Sequence, residues 1–121
     1  AIEAIGGCDL VLCGRQTLDG DTGQVGPELA ERLGLPFIAY VSRVEEMREG
    51  RIRVQRMVEE GHEDMEASLP AVITVVKEIG APRLPTLRGK QRARRAEVPR
   101  WTPADLDVRA EHLGLTGSPT R

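Results

Sequence analysis

The chain has 121 residues, 17 Lys and Arg against 19 Asp and Glu, and a formal net charge of −2 at pH 7, which is the size of one modest domain and excludes a polycation that coats nucleic acid. Hydrophobic residues make up 40% and aromatic residues 2%, so the core must be aliphatic, and the aromatic stacking platforms of single-strand and RNA binders are excluded. No apolar run approaches the roughly 20 residues of a membrane span and no signal-peptide pattern opens the chain, so the expectation is a soluble cytoplasmic protein with no nucleic-acid partner and no direct membrane insertion.

In chain order, Ala1 to Ile5 reads as the last turn of a helix stopped by Gly6 and Gly7, which puts the natural N-terminus further upstream. Asp9 to Gly14 is a short apolar run ending on glycine, the pattern of a buried parallel strand. Pro27 to Leu33 predicts an amphipathic helix, with Pro27 at its first position, Glu28 at the positive end of its dipole and Gly34 just past its end. Phe37 to Val41 is the next strand. Strand, glycine-rich loop, helix and strand make half of a doubly wound layer. Glu49 and Gly50 are turn residues ahead of Arg51 to Val58, where alternation around Ile52, Val54 and Val58 predicts an antiparallel hairpin on the sheet edge. Ala71 to Val76 follows a polar stretch. From Gly80 to Arg121 the chain is rich in Pro, Gly and Arg, with a short helix candidate near Gly89 to Ala96, and predicts an extended arm over the surface. The fold class is α/β: part of an open, mostly parallel nucleotide-binding sheet with an edge hairpin and an extended C-terminal arm. Residues 1–79 form the sheet part and residues 80–121 the arm.

Gly14 to Gly26, GRQTLDGDTGQVG, carries the most chemistry. Glycines 14, 20, 23 and 26 permit close backbone approach, Asp19, Asp21 and Thr22 can cap exposed amides, and the loop empties into a helix N-terminus. That arrangement cradles a phosphate or diphosphate. It is neither a Walker A loop nor G-x-G-x-x-G, and by pattern alone a ligand-free polar loop fits equally well. The candidate binding residues are Gly14, Gln16, Thr17, Asp19, Gly20, Asp21, Thr22, Gly23, Gln24 and Val25. No Ser-His-Asp, Cys-His or paired-carboxylate constellation stands out, so no catalytic residue is assigned. Cys8 and Cys13 are five apart and read as small buried hydrophobes in a reducing compartment, and His62 and His112 stand alone, so no metal site is expected.

The string Gly14 to Pro27 strongly resembles the nucleotide-binding segment in the beta subunit of electron transfer flavoprotein. Leu69 to Val76 followed by Pro82 to Gly89 is similar to that subunit's strand and partner-recognition loop, and Leu113 to Arg121 is similar to its C-terminal ending. Three motifs in the same order cover almost the whole chain; roughly the first half of the family's beta subunit is absent. The resemblance implies an electron-carrier subunit rather than an enzyme, paired with an alpha subunit that holds the electron-transferring FAD, and serving acyl-CoA or other dehydrogenases. It implies an adenine nucleotide, FAD or AMP, in this chain. Members that carry AMP have a bulkier, Asn-containing stretch where this chain reads Asp21 to Gly26, whereas members of the electron-bifurcating branch resemble the present string and hold a second FAD. The alternative reading is a stand-alone adenine-nucleotide-binding or sensing module without electron transfer.

Pro82 and Pro85 stiffen the segment that presents Leu84 and Leu87. The resemblance makes Leu87 an aliphatic anchor for dehydrogenases, with Leu84 and Arg88 beside it. Arg88, Lys90, Arg92, Arg94, Arg95 and Arg100 against Glu97 form the strongest charge run, suited to steering acidic partners. Between Glu45 and Glu66 eight acids outnumber four arginines, which reads as exposed hairpin ends. The family's Glu that pairs with the alpha subunit falls on Met57 when counted back without gaps, leaving Glu59 and Glu60 as neighbouring acids.

Overall fold

Short aliphatic runs broken by glycine turns build five strands and the helices between them. The structure is a computed structural model that describes residues 1–106 and 108–117. Strands are β1 (Leu10–Gly14), β2 (Phe37–Arg48), β3 (Arg51–Val58), β4 (Gly61–Ser68) and β5 (Ala71–Val75); helices are α1 (Val25–Leu33), α2 (Leu87–Arg95) and α3 (Gly114–Gly117). The chain divides into two units, Cys8–Pro82 and Ala1–Gly7 with Arg83–Arg121.

In the first unit the sheet order is β1-β5-β2-β3-β4. β5 pairs in parallel with β1 on one side and β2 on the other, while β2, β3 and β4 form an antiparallel meander. β5 reads AVITV because both of its faces are covered: Ala71, Val72 and Ile73 are fully buried. Ala71 and Ile73 join Ile38, Val41, Ile52 and Val54 in the aliphatic core, with Met65 and Ala67 of β4 packed against it. Val72 and Thr74 alternate to the other face, where a Cβ on Gly26 of α1 would stand 2.3 Å from Thr74 Cγ2 and 3.2 Å from Phe37 Cε2. Only a glycine lets the helix start that close to the sheet.

Four expectations change. The sheet is not mostly parallel: β2 runs on past Val41 to Arg48 and returns through β3 and β4, so its longer ladders are antiparallel. The edge hairpin is therefore a three-stranded meander, and Glu63, Asp64 and Glu66 lie within β4 rather than at hairpin ends; Arg56 pairs with Glu63 and Arg51 with Glu66 across the ladder. β1 is an edge strand, not a buried one, with Leu12 63% exposed. Cys8 is exposed and Cys13 half-buried, so neither is a fully buried hydrophobe.

At the helices, Gly34 closes α1 in the left-handed conformation (φ 63°), as expected, but α1 opens at Val25 and places Pro27 third. That position costs no hydrogen bond, because the first amides of a helix have no partner within it. The N-terminal helix end is a 3-10 turn at Glu3–Ile5, closed by Gly6 at φ 89°. The arm is not extended throughout: α2, α3 and 3-10 turns at Pro103–Asp105 and Ala110–His112 punctuate it. Thr102 and Asp105 make a reciprocal capping box in the first of those turns. Of the segment resembling the family's C-terminal ending, residues 118–121 lie outside the described residues.

Tyr40 breaks β2. Its φ is 59°, a left-handed conformation that costs a bulky side chain about 1–2 kcal/mol. The β2–β5 register shifts between Ile38 and Val41. Strict alternation would send those two residues to opposite faces, yet both are buried in the same core. The irregularity at Tyr40 reconciles them and turns the tyrosine ring outward, 42% exposed. Its amide donates to Thr74 Oγ1 at 3.0 Å, which supplies the partner that the ladder drops there.

Candidate functional site

The parallel segments of β1, β5 and β2 reach one end of the sheet, at Gly14, Val75 and Val41, and ligands of open α/β sheets bind outside such carboxyl ends. The loop from β1 to α1 leaves that end at Gly14. Asp21 (φ 50°) and Gly23 (φ 62°) turn it back through left-handed conformations, and it enters α1 through Gln24, whose side chain makes no capping hydrogen bond. The first amides of α1 therefore lack a side-chain cap.

The loop encloses a hollow of about 250 Å³. The structure brings Gly14, Gln16, Thr17, Thr22, Gly23, Gln24 and Val25 to its wall, joined by Cys13, Arg15 and Gly26. Three expected residues, Asp19, Gly20 and Asp21, do not line it. Their polar groups serve the loop itself: the Gly20 amide donates to Asp19 Oδ1 at 2.8 Å and to Thr17 Oγ1 at 3.3 Å, and the Gln16 amide donates to Asp21. The Thr17 hydroxyl first, and the Gly20 amide second, hold the Asp19 carboxyl below its ordinary value of 3.8. The wall of the hollow thus offers one guanidinium, side-chain amides and hydroxyls, and no carboxylate. Arg15 holds its place by donating from Nε to Gln16 Oε1 at 3.1 Å.

Arg15 also lines a second groove of about 500 Å³, at the same end of the sheet, together with Tyr40, Met57, Val58 and Val76. Its guanidinium carbon lies 5.3 Å from the centre of the Tyr40 ring, within cation–π range. Tyr40 was not among the expected site residues. The signal that could have found it is composition: it is the chain's single tyrosine, set in an otherwise aliphatic strand. Met57 is half-buried in the wall of this groove, with Glu59 as the neighbouring acid.

In the other unit, Leu84 is 92% and Leu87 74% exposed, and Arg88 is exposed beside them. Leu87 does not sit on an extended loop tip, because it is the first residue of α2, which Thr86 caps by accepting from the Gly89 amide at 3.0 Å. Arg88, Arg92 and Arg95 recur at helical spacing along one side of α2, around a hollow of about 390 Å³. Among the described residues no carboxylate pairs with them.

Among the described residues no cluster of three or more His, Cys, Asp or Glu is placed to hold a metal ion, and no helix is long and apolar enough to cross a membrane. His62 and His112 are both exposed.

The pattern that defines the electron transfer flavoprotein domain matches residues 1–106. The electron transfer flavoprotein subunit beta of Thermoanaerobacterium thermosaccharolyticum is 44% identical over 114 residues, 93% of this chain and 44% of that protein. Its namesake from Megasphaera elsdenii is 42% identical over 113 residues, 93% of this chain and 42% of that protein. The caffeyl-CoA reductase-Etf complex subunit CarD of Acetobacterium woodii is 38% identical over 120 residues, 99% of this chain and 45% of that protein. The chain spans less than half the length of these relatives.

Proposed function

The chain belongs to the electron transfer flavoprotein family, and from that premise we propose that it is a portion of a beta subunit that binds an adenine nucleotide, FAD or AMP, for electron transfer. It acts as an electron-carrier component rather than an enzyme. Its partners are an alpha subunit and acyl-CoA or other dehydrogenases, with residues 1–79 holding the nucleotide and residues 80–121 docking partners through Leu84, Leu87 and Arg88. Its place is the cytoplasm, where two free cysteines stay reduced.

The observation that carries this reading is the composition of the loop hollow. A wall with Arg15, the amides of Gln16 and Gln24, the hydroxyls of Thr17 and Thr22, and no carboxylate, at an uncapped helix start, is complementary to phosphate. Gly23 keeps side-chain volume out of the turn beside it. The donor set therefore fits the phosphate end of such a nucleotide. FAD, when bound, supplies the redox chemistry; the chain's own part is to hold the phosphates and orient what is attached to them. The string Asp21 to Gly26 favours FAD over AMP, as in the electron-bifurcating branch.

Titration calorimetry with AMP tests the phosphate site. Gln16→Ala and Thr22→Ala should each weaken AMP by about tenfold, the loss of one hydrogen bond to a charged group. Denaturing the chain purified with its alpha subunit should release FAD from the beta site. If no adenine nucleotide is released and none binds, the reading is wrong.

A further inference from the structure

The nearly balanced total charge conceals an asymmetry. Between Lys90 and Trp101 the chain carries Lys90, Arg92, Arg94, Arg95 and Arg100 against Glu97 alone, a local charge of +4, so the chain's total of −2 leaves −6 on all the other residues. Every residue from Lys90 to Trp101 is exposed, and among the described residues no carboxylate pairs with any of the five bases. Apolar side chains are exposed in the same stretch: Val98 is 78% and Trp101 43% exposed. We propose that residues 90–101 hold the chain against an anionic lipid surface, as a peripheral contact that crosses no bilayer. The proposal is independent of the nucleotide site and goes beyond it.

Three observations select lipid headgroups over the carboxylates of a protein. At 3.6 residues per turn, Arg92 and Arg95 lie on one flank of α2 and Lys90 and Arg94 on the other, with the small side chain of Ala93 between them. One acidic protein patch meets one flank, whereas a helix lying in a headgroup layer has anionic groups on both sides, and long basic side chains reach outward to them. Next, α2 buries no residue of its own, so its bases are not held in the fixed fork geometry that reads a particular set of carboxylates; a fluid layer of phosphates needs no such register. Last, the basic stretch ends on an indole, whose amphipathic ring suits the level of the headgroups, and the capping box of Thr102 and Asp105 fixes the backbone directly after it. The negative charge on the other residues is repelled by the same surface, which turns the molecule so that this segment faces it. Leu87 lies about a third of a turn from Ala93 around α2 and stays open to protein partners.

Co-sedimentation of the full chain with vesicles tests this, using phosphatidylcholine alone and phosphatidylcholine mixed with phosphatidylglycerol. The chain should bind the mixed vesicles and leave the neutral ones. Raising salt from about 0.1 to 1 M, which cuts the screening length from about 10 to 3 Å, should release it. Each basic residue near an anionic surface raises partitioning about fivefold, so the triple variant Arg92→Gln, Arg94→Gln, Arg95→Gln should bind on the order of a hundredfold more weakly; glutamine is as good a helix former as arginine, so α2 is kept. The same charge removed from exposed positions of the meander, in Arg43→Gln, Arg48→Gln, Arg53→Gln, should leave binding unchanged. Trp101→Ala should weaken it about fivefold, the effect of burying part of a large apolar side chain. Equal binding to neutral vesicles, no loss in the first triple variant, or equal losses in the two triple variants would overturn the proposal. So would capture of the chain by immobilised polyglutamate with no binding to either kind of vesicle, which would assign the segment to an acidic protein instead.

Discussion

Gly26 is where the tolerance of the molecule is smallest. An alanine there meets the Thr74 methyl at 2.3 Å and the Phe37 ring edge at 3.2 Å, both inside the packed face between α1 and the sheet, so Gly26→Ala should destabilise the chain by about 1–3 kcal/mol. Thr74→Ser removes the obstructing methyl and keeps the hydroxyl that receives the Tyr40 amide. The double variant should therefore lose less than the sum of the two, and denaturant unfolding in a double-mutant cycle measures the difference. Glycines in a loop are visible in a sequence, but which one is sterically obligatory is not: nothing within the string GRQTLDGDTGQVG says that Gly26, rather than Gly20, faces a threonine on β5. The same limit explains the aspartates. Their capping capacity was legible, yet Asp19 and Asp21 found partners inside the loop, which cleared the hollow of negative charge. The left-handed conformation of Tyr40 was illegible for a deeper reason, since it arises only when Ile38 and Val41 must enter one core.

Elements with a strong apolar signature were legible in both kind and place: β1, β3, β5 and the end of α1 fall within a residue or two of their predicted positions. β4 was not. GHEDMEAS buries only part of Met65 and Ala67, so its hydrophobic alternation covers two residues, and it is a strand because β3 offers it a complete ladder and cross-strand Arg–Glu pairs. The extension of β2 to Arg48 has the same origin. α2 depends on local terms instead. It has nine residues, buries none, and carries one side-chain cap, Thr86, and isolated helices of that length are marginal in water. Thr86→Ala should cost the helix about 1 kcal/mol. Amide exchange at Gly89 and Lys90 should quicken about fivefold while Ile52, Val54 and Ile73 keep their protection; equal protection at Gly89 in the two proteins would show that the cap contributes nothing.

For the whole molecule, the proposed division of labour sets nucleotide chemistry in residues 1–79 and docking in residues 80–121. Leu87 is 74% exposed at the start of α2. Leu87→Ala should slow electron delivery from a cognate dehydrogenase by at least about tenfold, the scale of an interface hot spot, while nucleotide content after denaturing release stays the same. Stopped-flow reduction and nucleotide counting report the two quantities separately, and an unchanged rate would remove Leu87 from the interface. The partition has an optical counterpart. The chain contains one tyrosine and one tryptophan; Tyr40 belongs to the sheet unit and Trp101 to the other. Each part of the molecule carries its own intrinsic chromophore, so light absorbed selectively by the indole follows events in the arm, and the phenol spectrum follows the sheet, with no label attached to either.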